Sequence, residues 1–248
     1  MMRTTVLMNN IVRWLFAGVI SIAVAYNATA GSFSISPLRV ELGRGHNVEV
    51  VTIHNEEDAP LLIQAKILAW SQDNNEEQYA DSKDLLVTPP VFQMAPKSDQ
   101  IIRIALRHVD SADQELHYRL LLSEVPPAAP KDFVGLSVAL RMSMPIFIAP
   151  ANKVQPDLVW TSKWQADGSV QIEAFNQGKA HIQVSDFEVS FGASGDAKAS
   201  VSRYVLPGSR IAWTLKPPAN TDHKASLNIH GYSDHGEFRA AVGNAEVH

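Results

Sequence analysis

Between positions 136 and 144 bulky apolar side chains take every second place: Leu136, Val138, Leu140, Met142 and Met144 alternate with Ser137, Ala139, Arg141 and Ser143. A strand turns successive side chains to opposite faces, so the apolar set shares one face and the small or polar set the other. Pro126, Pro127 and Pro130 precede the segment, which reads as a half-exposed edge strand. An ordinary sandwich strand, burying that face in its own core, is the other reading of the same pattern.

Short alternating segments recur along the chain. The pattern predicts strands over Phe33–Ile35, Leu38–Leu42, Asn47–Asn55, Leu61–Trp70, Gln100–Leu106, Leu116–Glu124 and Leu136–Phe147. Gly43 to Asn47 and Asn55 to Asp58 read as turns, and the polar stretch Ser71 to Asp84 as a flexible loop. After Pro150 a second series follows over Leu158–Trp164, Ser169–Asn176, His181–Phe191, Ser200–Leu206, Arg210–Leu215, Ala225–His230 and Glu237–Val242. Helical periodicity is hard to find. The spacing of strands and turns indicates an all-β chain of two immunoglobulin-like sandwiches. The boundaries fall at residues 31–148 and 149–248, with a short joint at Ile148 to Asn152 and no sequence repeat between the halves.

The amino terminus changes the picture. Arg3 and Arg13 precede an apolar run of 12 residues, Trp14 to Ala25, then Ala28-Thr29-Ala30 and Gly31. This is the layout of a cleaved secretory signal over residues 1–30, and the run falls short of the roughly 20 residues a membrane span requires. Cleavage after Ala30 takes 30 residues from 248 and leaves 218; the two arginines depart, so the formal charge goes from −5 to −7. An exported, acidic chain without cysteine has no disulfide, no thiolate metal site and no cysteine nucleophile, and it lacks the basic stripe that nucleic acid requires.

Catalytic chemistry is not legible. Nucleophile elbow, phosphate loop and metalloprotease helix are all missing, so no catalytic residue, metal site or cofactor is expected. The nine histidines are scattered; His230, Asp234 and His235 form the one local cluster and read as solvated loop residues. Arginines say more. Arg39, Arg103, Arg119 and Arg141 each stand within an apolar strand. Pairing Leu116–Glu124 with Leu136–Phe147 about a loop near residue 130 brings Arg119 opposite roughly position 142. That is the end of the strand nearest the joint, where Arg39 could join it and two guanidiniums would suit a carboxylate.

Taken together, Phe33-Ser-Ile-Ser-Pro-Leu-Arg39-Val40, Thr88-Pro-Pro90, Ile101-Ile-Arg-Ile104, Tyr118 through Pro127, Pro145 through Pro150, the Asn176 turn and Val205-Leu-Pro-Gly-Ser209 make the chain resemble the periplasmic pilus-assembly chaperones of chaperone–usher systems. The resemblance implies two immunoglobulin-like domains set as a boomerang. It implies pilus subunits and an outer-membrane usher as partners, with no nucleic acid and no small-molecule substrate. The subunits are incomplete folds, and the chaperone lends its G1 strand to complete them, a β-augmentation. The lent side chains would be Leu136, Val138, Leu140 and Met142, with Met144 a further candidate. Burying each is worth roughly 1.5 to 3 kcal/mol before association costs, and a slip of one residue would turn all of them away. An exposed edge of this kind also leaves self-association open.

In familiar members of that family an arginine of the first strand and a lysine of G1 bind the subunit's terminal carboxylate. Arg39 matches the arginine, whereas Pro145 stands where the lysine is expected, which resembles the divergent branch called archaic. Arg119 is the first candidate to replace the lysine and Arg141, about 13 Å along the strand from Pro145, the second. The competing reading is an exported adhesin or binding module on the same scaffold, which would expose loop aromatics and carry no cleft cations.

Overall fold

The computed structural model describes residues 33–107, 113–126, 138–200, 202–224 and 226–244. Ten strands come first: β1 (Phe33–Ser36), β2 (Val40–Gly43), β3 (Val48–Asn55), β4 (Leu61–Asp73), β5 (Glu76–Asp81), β6 (Leu85–Thr88), β7 (Val91–Met94), β8 (Asp99–Leu106), β9 (Leu116–Glu124) and β10 (Arg141–Ala149). They form two facing sheets, β1-β3-β8-β6 and β2-β10-β9-β4-β5, with β7 added to β4. Alternating Val40, Ile53, Ile63, Ile104, Leu120, Leu122 and Ile146 fill the space between them. The first two expected strands lie in different sheets: β1 pairs with β3 and β2 runs parallel to β10, so the chain switches sheets between Ser36 and Val40.

Eight strands follow: β11 (Leu158–Trp164), β12 (Val170–Asn176), β13 (Ile182–Ser190), β14 (Asp196–Ala199), β15 (Arg203–Val205), β16 (Arg210–Leu215), β17 (Leu227–Ser233) and β18 (Gly236–Asn244). Trp160, Phe187, Phe191 and Trp213 dominate their core. Among the described residues the only helical element is a single 3-10 turn, Gly192–Ser194, and no strand pairing joins β1–β10 to β11–β18.

The two sandwiches share a local device that the sequence does not advertise. Asn55 and Asn176 are both fully buried at strand ends. Each amide donates to the carbonyl four residues on, Ala59 or Ala180, and to a distant one, Ala95 or Val205, at 2.8 to 2.9 Å. Each Oδ1 accepts from the backbone two residues on, at Glu57 or Gly178. A buried amide satisfied on both sides fixes the turn that follows it.

The reading of Ser71 to Asp84 as a flexible loop is overturned. That stretch is the end of β4, a turn on Asn74 and Asn75 with φ of 50° and 67°, and then β5. β5 is polar because it lies at the sheet edge and buries neither face, so no alternation betrays it. Its turn reaches the second sandwich. Asn75 exchanges hydrogen bonds with Ala212 at 2.9 and 3.2 Å and accepts from Arg203 at 2.7 Å. Gln72 donates to the Tyr204 carbonyl at 2.9 Å and accepts from Leu206 at 3.0 Å.

Candidate functional site

The strand that drew attention in the sequence has one free edge. β10 pairs with β9 from Arg141↔Ser123 to Ile148↔Leu116. Its other neighbour, β2, begins only at Ile146↔Val40. Among the described residues, 141–145 therefore have a strand on one side alone. Glu124 N donates to the Leu140 carbonyl at 2.9 Å, so Leu140, Met142 and Met144 turn their backbone groups to β9, and by alternation Arg141 and Ser143 turn theirs outward. Pro145 falls in the outward set, where a missing donor leaves no gap in the β9 ladder.

Along the same strand the apolar face becomes progressively buried. Val138 is 57% exposed, Leu140 and Met142 are half-buried against the core, and Met144 is 3% exposed within it. The alternation of the sequence runs on to Met144, but that side chain fills the chain's own sandwich and is not presented to a partner. Leu136 lies outside the described residues.

The pairing of β9 with β10 sits three residues away from the expected register: Arg119 faces Pro145, not position 142. The candidate cation stands directly across from the proline. Arg119 and Pro145 both turn away from the core, as do Trp70, His117 and Phe147. Trp70, Phe147 and Leu206 make a small separate core with Tyr204 packed on it.

Over this aromatic floor the Arg119 guanidinium lies 3.7 Å from the Trp70 ring centroid and 5.5 Å from that of Tyr204. Among the described residues its Nε is shut from solvent without a hydrogen-bond partner. Burial pulls the guanidinium below its ordinary value, and Tyr79, Glu77 and Tyr204 only partly restore it. A half-buried cation held by rings is short of an acceptor at that nitrogen. Glu77, which could have supplied one, is engaged by the Trp70 indole N–H and by Gln72 at 3.1 Å.

Arg39 occupies the bend before β2 and lines a cavity of about 260 Å³ with Arg44, Glu115, His181, Asp234 and His235. Its Nη1 lies 3.1 Å from Asp234 and its Nε 3.0 Å from Glu41. Burial raises the Tyr204 phenol against the pull of Arg39 and Arg119, so both predicted cations act on one hydroxyl. Arg141 is exposed at the far end of the open edge, apart from this cavity.

Several residues of the site escaped sequence reasoning. Asp234, read there as a solvated loop residue, does lie in an exposed turn, but its side chain is only 17% exposed. His181 is stacked on Phe147 with centroids 3.5 Å apart and a 4° interplanar angle. It meets Glu115 at 2.6 Å and Asp234 at 3.5 Å. His117 lies 3.3 Å from the same Glu115 oxygen, in ion-pair range but not aligned as a hydrogen bond. Arg44, with φ of 55°, donates to the Pro150 carbonyl at 3.2 Å and so ties the end of β2 to the chain beyond β10. These groups come together from segments far apart in the chain, and no local spacing marks them.

An immunoglobulin-like sandwich with an open, apolar-faced edge ending at an arginine-lined cavity narrows the field, and comparison decides it. Residues 32–153 match the family described as pili and flagellar-assembly chaperone, PapD N-terminal domain. Over that span the chain belongs to the pilus-assembly chaperones. It is 25% identical over 194 residues to the chaperone protein CssC of Escherichia coli, spanning 73% of this chain and 78% of that protein. Against the chaperone protein FimB/FhaD of Bordetella pertussis it is 26% identical over 213 residues, 81% and 80% of the two chains. Its fold is that of a chain in the CsuC–CsuE chaperone-tip adhesion subunit pre-assembly complex from the archaic Csu pili of Acinetobacter baumannii. There the TM-score is 0.65 at 18% identity, over 87% of this chain and all of that one.

Proposed function

We propose that this chaperone works in the periplasm of a chaperone–usher system, where it captures pilus subunits lacking a strand, lends them the segment ending in β10, and delivers them to an outer-membrane usher. The observation that carries this is the free edge at residues 141–145, preceded by an exposed Val138 and half-buried Leu140. Pairing that edge with a subunit strand completes the ladder on both sides and extends the apolar face into the subunit. Leu136, Val138, Leu140 and Met142 are the lent side chains.

Arg39 is the first anchor for the subunit's terminal carboxylate. Arg119, with a buried N–H lacking an acceptor, is the second, and Arg141 ranks behind it. With Pro145 in place of a lysine, this pairing supports an assignment to the archaic branch. Export follows from residues 1–30, removed after Ala30, and the working domains are residues 31–148 and 149–248.

The test is capture of the pilus subunits encoded beside the gene, co-expressed in the periplasm and recovered by pull-down. Wild type should yield a one-to-one complex. Val138→Asp, at a site open to solvent, should lose it while melting at the same temperature, and Arg119→Ala should weaken it. Undiminished capture by Val138→Asp would remove the strand-lending reading, and undiminished capture by Arg119→Ala would remove that anchor.

A further inference from the structure

The guanidinium assigned to the subunit is not vacant in the unloaded chain. Arg39 Nη1 is paired with Asp234 Oδ2 at 3.1 Å, and Asp234 is the less exposed of its two carboxylate partners, at 17% against 64% for Glu41. A terminal carboxylate arriving at Arg39 therefore meets another carboxylate already in its place. Resting on the reading of Arg39 as an anchor, we propose that Asp234 is a placeholder for the subunit's terminal carboxylate, so that loading exchanges one carboxylate for another at Arg39.

The surroundings of Asp234 suit an exchange in which only the arginine moves. Asp234 lies in the turn between β17 and β18 and is fixed by its backbone: its N–H donates to the Gln183 carbonyl at 3.1 Å. Its Oδ1 accepts from Gln183 N at 2.8 Å. The other oxygen, which faces Arg39, is 3.5 Å from His181 Nε2, and His235 Nε2 stands 3.9 Å from Oδ1. When Arg39 turns away, Asp234 keeps its backbone donor, and the His181 and His235 imidazoles stand 3.5 and 3.9 Å from its oxygens, so the carboxylate is not left without polar neighbours. Arg39, by contrast, is 39% exposed on a bend outside any strand, with a long side chain that can swing.

The pairing also gives the cleft cation a resident counter-charge that a stray anion would have to displace. A weak anion fails to displace Asp234, whereas a carboxylate delivered by a subunit already zipped along β10 acts at high effective concentration. The placeholder thus makes anchoring conditional on strand pairing.

The test uses the full processed chain and a synthetic peptide copying the last residues of a pilus subunit encoded beside the gene, with a free carboxylate or an amide at its end. Affinities are compared for wild type, Asp234→Asn, Arg39→Ala and the double variant. Loss of a part-exposed ion pair should tighten acid-peptide binding by about fivefold in Asp234→Asn. The amidated peptide should be unaffected, and the double variant should bind as weakly as Arg39→Ala. Should Asp234→Asn disturb the turn, seen as a lowered melting temperature, Asp234→Ser keeps an oxygen for Gln183 N without the charge and carries the same expectation. Equal or weaker acid-peptide binding by the folded neutral variant, with Arg39→Ala still impaired, overturns the exchange and leaves the anchor standing. If Arg39→Ala binds the acid peptide as wild type does, the anchor reading itself falls, and the exchange with it.

Discussion

Arg119 faces Pro145 across β9 and β10, and its guanidinium lies against the Trp70 and Tyr204 rings. A lysine at 145 would set a second cation directly opposite Arg119, a like-charge cross-strand pair in a buried position. Pro145→Lys should therefore cost at least about 1 kcal/mol of stability by thermal melting, and Arg119→Leu in the same chain should return part of it. An equal loss with and without Arg119 would mean the two sites do not interact. At this scale the sequence was half legible. Arg39 and Arg119 stood out as charges in apolar strands. Asp234 did not, because its partner Arg39 is 195 positions away and its own neighbours are turn residues.

At the scale of elements, alternation revealed most strands with one face buried and the other wet, but not β6 and β7, whose four residues each show only two buried positions. β3, β4, β9, β12 and β13 were found this way, close to their true limits. β5 escaped because it buries neither face, and β14 because its four residues are too short to display a period. The register of β10 against β9 was out by three, since a hairpin assumed symmetric about residue 130 ignores how a loop distributes its length. The apolar face of β10 was read correctly as a face. What no pattern could supply was where it passes from a neighbour's reach into its own core, which happens between Met142 and Met144.

At the scale of the molecule, one buried charge group joins the two sandwiches. Burial raises the Glu115 carboxyl, but the imidazoles of His117 and His181 outweigh it and hold the value at about 2, below the ordinary 4.5. A depressed carboxyl stabilises the fold above pH 4.5, and that contribution is lost as pH falls toward 2. Burial pushes His117 down, so its neutral form is favoured and acid below pH 6.5 works against the fold. For His181, burial is outweighed by Asp234 and Glu115; its value is raised, and its contribution is complete below pH 6.5 and lost as pH rises through the folded value. Glu115→Gln should remove up to about 3 kcal/mol at neutral pH and flatten the acid limb of a urea-unfolding series between pH 4.5 and 2. An unchanged acid slope would exclude Glu115 as the group responsible.

Strand lending itself is most directly measured by amide hydrogen exchange along β10, in the free chain and in its complex with a pilus subunit. Met142 and Met144, facing β9, should be protected in both states, while Arg141 and Ser143 should exchange quickly when free and become protected when the subunit is bound. Arg141 and Ser143 amides that exchange equally fast in the complex would contradict the account, because the subunit would then be held somewhere other than on this edge.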